Sequence, residues 1–178
     1  MRPFFTKANV QTTALASAYL ETNAPDSEFS TKVACTFFGP MQMQAGAAGG
    51  SQADSCQVKV QIEFADESKS ALLQQIPLVS ETLDAQAENL PTEAVVQMHK
   101  ERKLKEQLTQ LTQTVSSVLT AAIATEHYSG TQISVSFSVV ELDCDILQAL
   151  VNCASVAMLN STIKCRFLPV AICLLQQD

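Results

Sequence analysis

The sequence predicts an α+β domain, or the related α/β arrangement, in which a mixed β-sheet packs against α-helices. Apolar side chains alternate with period two over 31–39, 56–64 and 131–142, the spacing of strands with one buried face. They recur every three or four residues over 92–124 and 146–159, the spacing of amphipathic helices. The resulting order is four strands, helix, strand, helix, strand.

The elements follow in chain order. Phe4, Val10 and Leu15 punctuate two short extended pieces, and the second runs through Ala16-Ser17-Ala18-Tyr19-Leu20-Glu21 into a turn over 23–30. From Thr31 to Gly39, Val33, Cys35 and Phe37 share one face, and Gly39-Pro40 is expected to stop the strand. Residues 41–55, rich in Ala, Gly and Gln without periodicity, read as a mobile loop. Cys56 to Phe64 is the cleanest strand, with Val58, Val60, Ile62 and Phe64 inward and Lys59, Gln61 and Glu63 outward.

The stretch 65–93 is an acidic insertion with only Lys69 as a base, and its length implies a partly helical or an exposed path. The helix from about Thr92 to Ala124 carries Leu104, Leu108, Leu111, Val115, Val118, Leu119, Ala122 and Ile123 on one stripe. Tyr128-Ser129-Gly130 ends it. The next strand points Ile133, Val135, Phe137 and Val139 inward. Asp143-Cys144-Asp145 makes the turn into a helix from Ile146 to Leu159, closed by Asn160-Ser161. The nearly continuous apolar run from Ile163 to Leu175, broken by Pro169, reads as a last strand buried on both faces.

A chain of 178 residues, 47% hydrophobic and 16% charged, fits one domain with a real core and excludes a wholly disordered chain. No apolar run nears the roughly 18 residues of a membrane-spanning helix, and no signal-peptide stretch follows Met1, so a soluble intracellular protein is expected. A net charge of −7 argues against nucleic-acid binding over the whole surface, though not against a local basic patch. Six cysteines without C-x-x-C spacing read as reduced thiols; neither a disulfide framework nor a zinc site is expected. No cofactor or metal is implied.

Few residues carry chemistry. Asp143 and Asp145 flank a strand-to-helix junction, where two carboxylates serve either a cation and acid–base work or, the favoured reading, helix capping. Lys100, Arg102, Lys103 and Lys105 are the only basic cluster, candidates for RNA phosphates. Glu101 and Glu106 sit among them and no aromatics interleave, so a solvated helix face competes with that role. His99 and His127 sit in no metal-ligand pattern, and His127 reads as a helix C-terminal charge complement. Cys35, Cys153 and Cys173 are expected to be buried thiols. Gly46-Ala47-Ala48-Gly49-Gly50 lacks the lysine of a phosphate loop and reads as a linker. The residues alone yield no active site.

Taken in order, Arg2-Pro3, Ala16-Ser17-Ala18-Tyr19-Leu20-Glu21 and Thr31-Lys32-Val33-Ala34-Cys35-Thr36-Phe37-Phe38-Gly39-Pro40 resemble the opening of RNase PH-like proteins, with their R-P start, G-S-A-Y-x-E strand and T-K-V-x-C-x-V-x-G-P strand. The likeness extends in register to Leu159, apart from 41–55 and 65–93. It implies a single RNase PH-like domain over 1–178 with the ribosomal protein S5 domain 2-like fold, shortened at its C-terminal side. Active members carry a Gly-Gly-Thr-Arg loop entering the second helix, where amides and an arginine hold the attacking phosphate. Here that stretch reads Asp143-Cys144-Asp145-Ile146-Leu147-Gln148-Ala149. The family's catalytic acids lie beyond the last predicted strand.

The resemblance therefore implies a catalytically silent ring subunit of the eukaryotic RNA exosome, in the nucleus and nucleolus and also the cytoplasm. Its implied partners are other RNase PH-like ring subunits, S1/KH cap subunits and RNA in the channel, in a hetero-oligomer without membrane contact. Lys100, Arg102 and Lys103 are its expected RNA contacts. The alternatives are a divergent phosphate-dependent 3′-to-5′ exoribonuclease and a free-standing interaction module.

Overall fold

A computed structural model describes residues 4–23, 30–42, 55–75, 92–143 and 145–173. Side chains of 92–99, and of several residues in the 66–75 helix, lie outside this description. The strands are β1 (Phe4–Ala8), β2 (Ala16–Asn23), β3 (Ser30–Gln42), β4 (Gln57–Phe64) and β5 (Thr131–Glu141). The helices are α1 (Asp66–Gln75), α2 (Thr92–Ala122) and α3 (Ile146–Leu159). The five strands form one mixed sheet in the order β1-β2-β3-β5-β4. All neighbours are antiparallel except β4 and β5, which run parallel because the helical crossover through α1 and α2 joins them.

The helices cover one face of this sheet. Val33, Cys35 and Phe37 of β3 and Ile133, Val135, Phe137 and Val139 of β5 are sealed beneath them, meeting Leu119 and Ile123 near the end of α2 and Leu150 and Cys153 of α3. The period-two expectation for both strands holds. Strand β4 also alternates as expected, but Val58, Val60 and Ile62 stay half-buried because this strand is the sheet's edge. Among the described side chains of α2, those of its C-terminal part are sunk in the core. Leu108 and Leu111 are half-buried, and those of 100–107 are exposed or half-buried. None of the described helices is long and apolar enough to cross a membrane.

Three expectations need correction. Gly39-Pro40 does not stop β3, which continues to Gln42 through a cis peptide bond and an irregularity against β5 between Phe38 and Met41. Gly39 permits this with φ +109°, outside the range of ordinary side chains. Met41 and Gln42, the first two residues of the expected 41–55 loop, thus belong to β3, and 43–54 lie outside the described residues. The acidic 65–93 stretch, by contrast, is partly helical as expected, with Asp66–Gln75 forming α1, while 76–91 lie outside the described residues.

The last correction is the largest. Over its described part, 163–173, the run expected from Ile163 to Leu175 is not a strand buried on both faces. It makes one antiparallel bridge, Ile123 to Cys165, and then runs without ladder partners. Phe167, Leu168, Val170 and Ile172 are exposed, and 174–178 lie outside the described residues. Continuous apolarity says that side chains seek cover on both faces. Among the described residues, α3 supplies one cover and nothing supplies the other.

Candidate functional site

The β5–α3 junction is where the predicted carboxylates fall. Asp145 is the N-cap of α3: its Oδ1 accepts the Leu147 N–H at 3.1 Å, satisfying one of the free donors of the first turn. This bears out the capping reading for Asp145. The Asp143 N–H donates to Thr31 Oγ1 on β3 at 3.0 Å, which ties the junction back to the sheet. Its Oδ2 is shielded from solvent and receives no hydrogen bond among the described residues.

These contacts set the electrostatics of the helix start. The positive end of α3 already meets a carboxylate, and a second carboxylate oxygen stands close by without a donor. An incoming phosphate oxygen about 4 Å from either acid is repelled by roughly 1 kcal/mol in water-like surroundings, and about 4 kcal/mol near a protein surface. No glycine of this turn opens the backbone to an anion. Cys144 lies outside the described residues.

The basic cluster sits on the N-terminal half of α2, away from this junction. Arg102 is exposed, and its Nε pairs with Glu106 Oε1 one turn on, at 3.3 Å. Lys100 and Lys103 are half-buried, and Lys105 is exposed. The helix therefore presents a mixed acid–base surface in which one of its four bases is already partnered. His127 is exposed in a 3-10 turn, Thr125–Tyr128, that follows α2. The His99 side chain and the 46–50 glycine stretch lie outside the described residues.

Of the cysteines, Cys35 and Cys153 are fully buried as expected, whereas Cys173 is half-buried because its strand does not form. Burial pushes the Cys153 thiol up to about 12, and the Cys35 thiol well above its ordinary value, with the neighbouring Cys153 adding to the rise. Neither thiol is a nucleophile in the folded chain. A thiol-reactive dye at pH 8 is expected to leave both unlabelled until denaturant is added, as read by peptide mass spectrometry; fast labelling of Cys153 in the native chain would contradict this packing. Among the described residues, no group of three or more His, Cys, Asp or Glu is placed to hold a metal ion.

Sequence reasoning missed three features. Lys32 bonds Glu141 at 2.8 Å across β3 and β5, and that hydrogen bond raises the lysine's pKa. A groove of about 670 Å³ opens between β4 and α2, lined by Val60, Leu108, Thr112 and Gln113 with neighbouring hydroxyls. The segment beyond Arg166 lies along α3 as an extended ribbon. The first had no local signal, since Lys32 and Glu141 meet only through the pairing of β3 with β5, and the second had only a hydroxyl-rich helix face. The third was visible as apolarity but not as exposure.

Residues 1–164 match the RNase PH family, described as 3′ exoribonuclease family, domain 1. No curated protein matches the chain by sequence. Among solved structures, the crystal structure of rice (Oryza sativa) Rrp46 is similar with TM-score 0.61 and 17% identity, covering 94% of this chain and 58% of that one. An Archaeoglobus fulgidus exosome with RNA bound to the active site is similar with TM-score 0.53 and 14% identity, covering 90% and 52%. The chain thus spans a little over half the length of these structures. At such identities the likeness is one of fold.

Proposed function

Since this chain belongs to the RNase PH family of 3′ exoribonucleases, domain 1, we propose that it is a non-catalytic structural subunit of an exosome-type ring. Its work is to shape the wall of a channel through which RNA passes for 3′-to-5′ processing or degradation. The observation that carries this reading is the β5–α3 junction. Where active members would cradle phosphate at the second helix, Asp145 fills the helix start and Asp143 stands beside it. The solved structures similar in fold include an exosome bound to RNA, which supports the assembly half of the proposal.

On this reading the partners are other RNase PH-like subunits and S1/KH-type cap proteins. The α2 surface with Lys100, Arg102 and Lys103 faces RNA, and the protein works in nucleus, nucleolus and cytoplasm. The contact through Arg102 is a competition, since Glu106 must yield for a phosphate to take the guanidinium. A second reading, a divergent phosphorolytic exoribonuclease, draws on the family's own description.

One assay separates the two. Purified chain is incubated with single-stranded RNA, with and without inorganic phosphate. The scaffold reading expects no nucleoside diphosphate above the buffer blank. Phosphate-dependent release that tracks the protein through purification would establish the enzyme.

A further inference from the structure

Helix α2 joins two unlike halves. Lys100-Glu101-Arg102-Lys103-Leu104-Lys105-Glu106-Gln107-Leu108 are all strong helix formers and include the basic cluster. Over 109–120, eight of twelve residues are Thr, Ser or Val, whose side chains crowd the preceding turn or compete for its backbone. Anchoring divides near the same line. No side chain from 100 to 114 is buried, whereas Val115, Leu119 and Ala122 are fully buried.

The weak stretch also bonds to its own backbone. The hydroxyls of Thr109, Thr112, Thr114 and Ser117 donate to the carbonyls of Lys105, Leu108, Gln110 and Gln113, four residues back, each at 2.8 or 2.9 Å. Each of these carbonyls then serves a hydroxyl as well as the ladder N–H, which loosens the ladder and eases bending. A single such bond is ordinary. Four of them within 109–117 make a soft joint.

Space for the bend lies on the same side. At helical spacing Thr109, Thr112, Ser116 and Ser117 share a face, and that face lines the groove of about 670 Å³ against edge strand β4. Val60 and Leu108 line it as well, each half-buried. Three of the four back-bonding residues therefore border room in which the helix can move.

We propose that α2 is a jointed arm. Residues 100–108 swing as a rod about 109–114, widening and narrowing the groove against β4, while the helix from Val115 onward stays fixed in the core. Arg102 lies about 15 Å along the helix from Thr112, so a bend of about 15° carries it roughly 4 Å. The angle of the arm thus sets where Lys100, Arg102 and Lys103 stand relative to the sheet. The proposal goes beyond the ring assignment and does not depend on it.

Backbone N–H dipolar couplings of the full chain, measured in several alignment media, test both the amplitude and the direction of the swing. In the natural chain the couplings of 100–108 are expected to shrink together, by about a tenth to a fifth relative to 115–122, with the step inside 109–114 and the motion in the plane joining α2 to β4. Thr109→Val with Thr112→Val removes two groove-side hydroxyls while keeping the branched shape and a similar helix propensity, and is expected to halve that loss or better. Thr109→Ser with Thr112→Ser keeps the hydroxyls and is expected to keep the loss. Thr109 is exposed and Thr112 half-buried, so both pairs of substitutions should leave the couplings of 115–122 unchanged, which separates a stiffened arm from a damaged fold. Uniform couplings over 100–122 would overturn the proposal. So would a loss that grows smoothly towards residue 100, which is fraying of the helix end, or a swing out of the plane through β4. A step that survives the valine pair would also overturn it, since propensity alone would then explain the softness.

Discussion

Phe137→Ala is expected to cost about 3–5 kcal/mol of folding stability, the range for emptying a buried aromatic site. Phe137 lies in β5, an interior strand of the sheet, opposite Cys35 of β3 and Ile62 of β4. It is fully buried beneath the helices. The surrounding side chains cannot collapse into the void without dragging two strands with them, so the cavity persists. For a domain with roughly 5–15 kcal/mol in total, that is a large fraction of its stability. At this chain length each kcal/mol moves the thermal midpoint about 2–4 °C, so a fall of roughly 6–20 °C follows. Urea denaturation followed by circular dichroism checks it. The midpoint should drop with little change in slope. A loss below about 1 kcal/mol would show that the core is not centred where β3, β5 and the helices meet.

Gly39→Ala is expected to destabilise by about 2 kcal/mol or more, through the backbone alone. A Cβ at this position would stand 2.7 Å from the Gln132 carbonyl oxygen and 3.1 Å from the Met41 amide nitrogen. Both neighbours are backbone groups, so neither can swing aside as a side chain would. With φ at +109°, alanine adds conformational strain to the collision. The damage should be local first. Hydrogen exchange at 41–42 and 131–133 is expected to accelerate before the rest of the sheet, because the end of the β3–β5 pairing must open to admit the methyl group. An alanine variant with natural stability and natural exchange at these amides would contradict the close approach.

Side-chain period made the sheet legible. Val33, Cys35 and Phe37, and Ile133 through Val139, declare their buried face by alternation, and alternation survives folding because a pleated strand has only two faces. The capping role of Asp145 was legible for a similar reason: a short acid before an apolar helical run has a local geometry to satisfy. Contacts between distant segments were not. Thr31 and Asp143 are 112 residues apart, and nothing in either neighbourhood announces their bond. Gly39-Pro40 misled because those residue types usually end a strand, whereas here a positive φ and an irregular pairing carry the strand onward. The 163–175 run misled differently. Hydrophobicity reports a demand for cover, not its supply, and along α3 the demand is met on one side by Asn152 and Ser155 rather than by strands. The basic cluster was placed correctly on a helix, but its i,i+4 partner Glu106 decides how much charge is free, and that depends on side-chain geometry.

The central claim is membership in a ring as a silent scaffold. Affinity purification of the tagged chain from its own cells, with mass spectrometry and size-exclusion sizing, tests it most directly. The account predicts one particle of several subunits, containing RNase PH-like and S1/KH-domain proteins in fixed proportion and eluting far above 19.2 kDa. Recovery of the chain as a monomer, or only as a pair of identical copies without such proteins, would contradict it.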